Sequence, residues 1–199
     1  MISVYLIKLS DKPLTKEYEK IKVSFFDEIQ KNRASLIGKL AVLYAASKIL
    51  NLKKGELFFC YNENGKPYFK SHPHFHFNIS HSADTVAVAI SDSTVGIDIE
   101  LLRETDLKIA KRFFSEKETE FIGNDNRRFF EIWTKKEAYL KQIGTGLKFP
   151  LSSFDVIDNP LIETFQKDSY IISVSAEKHQ YTEFLYLSEE EFLNLILKK

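Results

Sequence analysis

Residues 2–7 alternate loosely between apolar and polar positions and are rich in β-formers, which predicts a first strand. Pro13 and Thr15 then open a long helical region. Leu36, Leu40, Leu43, Ala46 and Leu50, with Ile37 and Tyr44 beside them, recur at the helical period and predict a helix over 33–50, ended by Lys54-Gly55. A strand is expected at 57–61, followed by the turn Asn62-Glu63-Asn64-Gly65. Three more strands follow at 75–79, 85–91 and 95–100, and the link Asp92-Ser93-Thr94 makes the last two a hairpin. Residues 107–114 read as helical. Ser115 with Glu118 fits a capping box that starts another helix, and a longer one runs from about Arg127 to Ile143, closed by Gly144. Strands at 153–157, 169–175 and 182–187 and a helix from Ser188 complete the chain. Strand, helix, strands, helices, strands is an α+β order rather than alternating βαβ.

Composition narrows the class. The 199 residues are 44% hydrophobic and 28% charged, as in an ordinary globular protein, and the formal net charge is zero. No global field draws the chain to nucleic acid or to a membrane, so an anionic ligand would be held by local clusters of Lys, Arg and His. The single cysteine, Cys60, rules out an intramolecular disulfide and a thiolate zinc cluster, and it lies in an apolar run that reads as core. The start of the chain lacks a basic segment followed by a long apolar stretch, so a cytoplasmic protein is expected.

The candidate chemistry centres on carboxylates. In Val95-Gly96-Ile97-Asp98-Ile99-Glu100 the strand period sends Ile97 and Ile99 to one face and Asp98 and Glu100 to the other, ~6.5–7 Å apart along the backbone. Nothing basic in the segment relieves their repulsion. Hard oxygen ligands at this spacing suit Mg²⁺, and a solvated strand face explains them equally well. On the helix over 127–143, Phe129, Ile132, Trp133, Leu140 and Ile143 share one face, and Glu137 and Lys141 lie one turn apart on its flank. An ordinary i,i+4 surface pair has that spacing too. Ser80-His81 ends a strand where imidazole and hydroxyl could meet a phosphate; Arg33, Lys66, Lys136 and Lys141 are further candidates for anion contacts.

Together these segments resemble the 4′-phosphopantetheinyl transferase family in its surfactin-type, single-chain branch. The matching pieces are NGKPYF at 64–69, FNISHS at 77–82, VGIDIE at 95–100, IAKRFFSEKE at 109–118 and FFEIWTKKEAYLKQIGTGLKFPLSSF at 129–154. They cover roughly residues 33–157. The resemblance implies two similar α+β halves related by a pseudo-twofold axis, 1–101 and 102–199, with the active site between them. It implies Asp98, Glu100 and Glu137 as metal ligands for Mg²⁺, with Mn²⁺ as the alternative ion, and Glu137, Lys141 and Asp98 as the catalytic group. Arg33, Gly65, Lys66, Pro67, Ser80, His81, Lys136 and Lys141 would contact coenzyme A, and the region after Gly144 would meet the carrier protein. Members of this branch usually carry a longer basic segment before the first long helix; here only Lys31 and Arg33 stand at its place.

The expected reaction moves the 4′-phosphopantetheine of coenzyme A onto a serine of an apo acyl or peptidyl carrier protein and releases 3′,5′-ADP. A monomer is expected, with no nucleic-acid or membrane partner. A metal-dependent phosphodiesterase would use the same acids and a lysine, but would cleave without an acceptor protein. A non-catalytic carrier-binding module would have no need of the acids.

Overall fold

The computed structural model describes residues 1–12, 32–52, 56–146 and 149–197. The helix expected from Pro13 and Thr15, and the helix stop expected at Lys54-Gly55, lie outside them. In chain order the elements are β1 (Ile2–Lys8), α1 (Arg33–Ile49), β2 (Cys60–Tyr61), β3 (Pro67–Tyr68), β4 (His76–Ser82), β5 (Thr85–Ser91) and β6 (Val95–Leu101). Then come α2 (Lys108–Phe113), α3 (Glu116–Ile122), α4 (Asn126–Ile143), β7 (Ile162–Lys167), β8 (Tyr170–Ala176), β9 (Thr182–Ser188) and α5 (Glu189–Leu197). The mixed α+β class expected from the sequence is the one observed.

Two sheets carry the architecture. The first has the order β4-β5-β1-β9, antiparallel except that β9 runs parallel to β1; the second is antiparallel β6-β8-β7. Strand alternation decides what each face covers. Ile7, Val86, Val88, Ile90 and Phe77 pack against α1 and against Phe192 and Ile196 of α5. Ile2, Val4, Leu6, Ala87 and Ala89, on the opposite face, meet Val95, Ile97, Ile99, Ile172 and Val174 of the second sheet. The outer face of the second sheet is closed by α4 with α2 and α3, around Ile132, Leu140, Phe129 and Ile171. The layers therefore run helices, sheet, sheet, helices.

Polar caps fix the helix ends. Asn32 accepts from the backbone N–H of Ala34 and Ser35 at the start of α1, and Asp125 accepts from Arg127 and Arg128 at the start of α4. Ser115 and Glu118 form the expected capping box of α3. Each such cap contributes ~1 kcal/mol. Gly144 ends α4 at φ 74°, where a side chain would be strained.

Three expectations are corrected. β5 and β6 are not a hairpin: β5 pairs with β4 and β1, whereas β6 pairs with β8. The short link over 92–94 carries the chain from one sheet to the other, because Ile97 and Ile99 need the Ala87 and Ala89 face to bury them. Residues 153–157 form no strand. A short 3₁₀ turn over Leu151–Ser153 opens this segment; beyond it the carbonyl of Phe154 accepts from Lys136 and the N–H of Val156 donates to Glu118, which removes both from any ladder. The strand expected at 57–61 shortens to Cys60–Tyr61. β7, whose mixed sequence Ile-Glu-Thr-Phe-Gln-Lys gave no signal, forms the edge of the second sheet.

Candidate active site

β6 and α4 lie backbone against backbone. A Cβ on Gly96 would stand 1.9 Å from the carbonyl oxygen of Ala138 and 2.4 Å from the amide nitrogen of Gln142. Only glycine permits that approach. Since Gly96 faces α4, alternation sends Asp98 and Glu100 toward the same helix, and α4 brings Glu137 and Lys141 to that side.

The result is a polar cluster at a seam. Asp98 is 4% exposed. Its Oδ1 accepts from the Lys141 ammonium at 2.6 Å and from the Ser80 hydroxyl at 2.8 Å, and Lys141 also donates to Ser80 Oγ at 3.0 Å. Asp98 Oδ2 is buried with no hydrogen-bond partner. Glu100 accepts from Ser82 Oγ at 2.9 Å and from Arg103 at 3.3 Å. Asn78 accepts from the N–H of Ile97 at 3.0 Å. Asn78, Ser80 and Ser82 are every second residue of β4, and their partners advance in step along β6. Two strands of different sheets are thus joined side by side, running parallel, through side chains.

Burial pushes the Asp98 carboxyl above its usual range, against the pull of Lys141. Burial likewise raises Glu137; Lys141 opposes this, and the charges of Asp98 and Glu100 add to the rise. The three acids therefore feel one another, and a cation among them is favoured. Lys141 supplies the basic charge that the β6 segment itself lacks. Among the described residues no group of three or more His, Cys, Asp or Glu side chains is placed to hold a metal ion. The partnerless Oδ2 of Asp98, beside two further carboxylates, nonetheless fits a hard divalent ion that takes few protein oxygens and fills its shell with water and phosphate.

Other expected site residues are placed differently. Lys136 is fully buried. It pairs with Glu118 at 2.8 Å and donates to the carbonyls of Leu151 and Phe154, with its ammonium 4.2 Å from the centre of the Phe154 ring. That corrects the expectation of a coenzyme A contact: an enclosed, fully bonded ammonium presents nothing to a ligand. Arg33, at the start of α1, is held by buried Glu189 through Nε at 2.9 Å and Nη2 at 2.9 Å, and donates to the carbonyl of Lys12. The Lys66 ammonium donates to the carbonyls of Val95 and Gln142. His81 is exposed on β4, and Gly65 is exposed in its turn at φ 83°. Beyond Gly144, residues 147–148 lie outside the described residues, and Phe149 is exposed. Ser82, Arg103 and Asn78 also belong to the site, and the period-two polar pattern over 78–82 points to two of them.

The chain is similar to known proteins over most of its length. Residues 94–189 match the family model of the 4′-phosphopantetheinyl transferase superfamily, and residues 11–93 match that of the 4′-phosphopantetheinyl transferase N-terminal region. The chain is 36% identical over 169 residues to the 4′-phosphopantetheinyl transferase psf-1 of Bacillus pumilus, covering 77% of this chain and 72% of that one. It is 35% identical over 162 residues to the 4′-phosphopantetheinyl transferase Sfp of Bacillus subtilis strain 168, covering 73% and 72%. To the transferase gsp of Aneurinibacillus migulanus it is 42% identical over 130 residues, covering 63% of this chain and 54% of that one. The chain belongs to the 4′-phosphopantetheinyl transferase superfamily, an enzyme class that transfers phosphopantetheine from coenzyme A to carrier proteins.

Proposed function

We propose that this chain transfers the 4′-phosphopantetheine of coenzyme A to a serine of an apo acyl or peptidyl carrier protein at the seam of β6 and α4, releasing 3′,5′-ADP. The observation that carries the reading is Asp98 Oδ2, buried and without a partner among clustered carboxylates. Asp98, Glu100 and Glu137 would hold the divalent ion, Mg²⁺ or Mn²⁺. Bound there, the ion supplies positive charge to the pyrophosphate oxygens of coenzyme A. Glu137 accepts the serine proton; burial and its acidic neighbours raise its proton affinity, which suits a general base. Lys141 brings a second positive charge to the same corner and offsets charge on the departing phosphate. Ser80 and Ser82 hold Asp98 and Glu100 in place. Exposed His81 and the turn at Gly65 and Pro67 remain the proposed coenzyme A contacts; Arg33, Lys66 and Lys136 are bonded elsewhere.

The test combines the protein with coenzyme A, Mg²⁺ and an apo carrier protein, and weighs the carrier. The wild type adds one phosphopantetheine mass. Glu137→Gln and Asp98→Ala each lower the rate by ~10²-fold or more while circular dichroism shows the fold retained, and chelation of the metal stops the reaction. Turnover near that of the wild type in either variant overturns the assignment.

A further inference from the structure

A helix leaves its last carbonyls without intrahelical partners. At the end of α4, two of these are filled by side chains from a turn far away in the sequence. Asn62 and Asn64 donate through their amides to the carbonyl of Gly144, at 3.1 and 3.0 Å, and Lys66 donates to the carbonyl of Gln142 at 2.8 Å. Lys66 also donates to the carbonyl of Val95, at 3.2 Å. One ammonium therefore touches α4 one residue beyond Lys141 and β6 three residues before Asp98. Asn62 shapes the turn as well, since its Oδ1 accepts from the N–H groups of Asn64 and Lys66 at 3.0 and 2.8 Å. Gly144 admits the turn: a Cβ there would come within 3.1 Å of Asn62 Nδ2 and 3.3 Å of Lys66 Cδ.

We infer that Asn62, Asn64 and Lys66 form a positioning clamp, which fixes the end of α4 against the start of β6 and so sets Lys141 and Glu137 opposite Asp98 and Glu100. This rests on the proposed transfer at that seam. It replaces the idea of Lys66 as a ligand contact with a role in geometry. Among the described residues no carboxylate pairs with Lys66, and burial brings its pKa down to about 8. A helix C-terminus is nevertheless the favoured place for a positive charge. The clamp acts on chemistry because a misplacement of ~1 Å in catalytic groups costs ~10²-fold in rate.

Lys66→Met keeps the stem and removes the ammonium. Asn62→Asp keeps both turn-shaping acceptor bonds and removes the amide donor. In steady-state transfer, each should lower kcat by ~10-fold or more while the KM for coenzyme A stays within ~3-fold. A raised KM at unchanged kcat would mark Lys66 as a ligand contact and overturn the clamp. Hydrogen exchange provides a readout independent of turnover: the amides of Gln142, Ile143 and Gly144 should exchange ~10-fold faster in both variants, with β1 and β5 unaltered. Unchanged exchange overturns the clamp even where transfer is slowed. A wild-type protein that transfers nothing defeats the functional reading instead, and exchange still decides the clamp.

Discussion

Lys136 and Lys141 stand on the same helix and meet opposite fates. Lys141 reaches the polar seam and neutralises Asp98. Lys136 turns inward to Glu118, whose other oxygen accepts from Val156 and whose paired oxygen accepts from Ser115. Burial lowers the Lys136 pKa and Glu118 opposes that shift. Every polar atom of this pair has a partner, which is the condition under which a buried ion pair is tolerated. Removing one member strands the other charge, so Lys136→Ala should cost about 3–5 kcal/mol in urea unfolding, and Lys136→Met with Glu118→Gln should recover part of it. Transfer well below the melting temperature should fall far less than in Asp98→Ala. An unchanged stability with a raised KM for coenzyme A would return Lys136 to the ligand site.

At the level of elements, the site depends on how closely α4 can approach β6. Gly96→Ala places a methyl group against the Ala138 carbonyl, a backbone atom that cannot rotate aside. The cost should be about 3 kcal/mol or more, at or beyond the upper end of ordinary overpacking. Because relief requires β6 to retreat with Asp98, transfer should also fall ~10²-fold. A variant with native stability and turnover would mean that the contact is dispensable. The same pair of elements explains what the sequence could disclose. The apolar stripe of α4 and the alternation of β6 are local signals, and both elements appeared at nearly the expected bounds. So did the polar flank with Glu137 and Lys141. A helical wheel sets Lys136 within the apolar stripe, seven residues after Phe129 and four before Leu140, but nothing local discloses what satisfies its charge there, because its partner Glu118 and the carbonyls of Leu151 and Phe154 come from other elements. For the same reason 153–157 resembled a strand, since its alternation serves a buried lysine instead of a ladder. The β5–β6 link is ambiguous in the sequence, because a short connection between two strands fits a hairpin and a sheet-to-sheet step alike.

Across the molecule, the two sheets meet in an apolar layer and along the polar stitches from β4 to β6. Asn78 is the innermost stitch. Asn78→Ala leaves the buried N–H of Ile97 without its acceptor and should cost about 1–3 kcal/mol. The urea m-value should be unchanged, since the folded and unfolded surfaces differ little. A loss confined to a few tenths of a kcal/mol would show that the apolar layer alone holds the sheets together.

The parallel pairing of β9 with β1 bears on how the polypeptide is made. Ile2 faces Thr182, so β1 leaves the ribosome well before the neighbour it pairs with. Closing so long a loop carries an entropy cost that only the finished layer of helices and sheets offsets. Until then one edge of β1 is open, a template for pairing with other nascent chains. The first sheet thus becomes complete only after every strand of the second has been made.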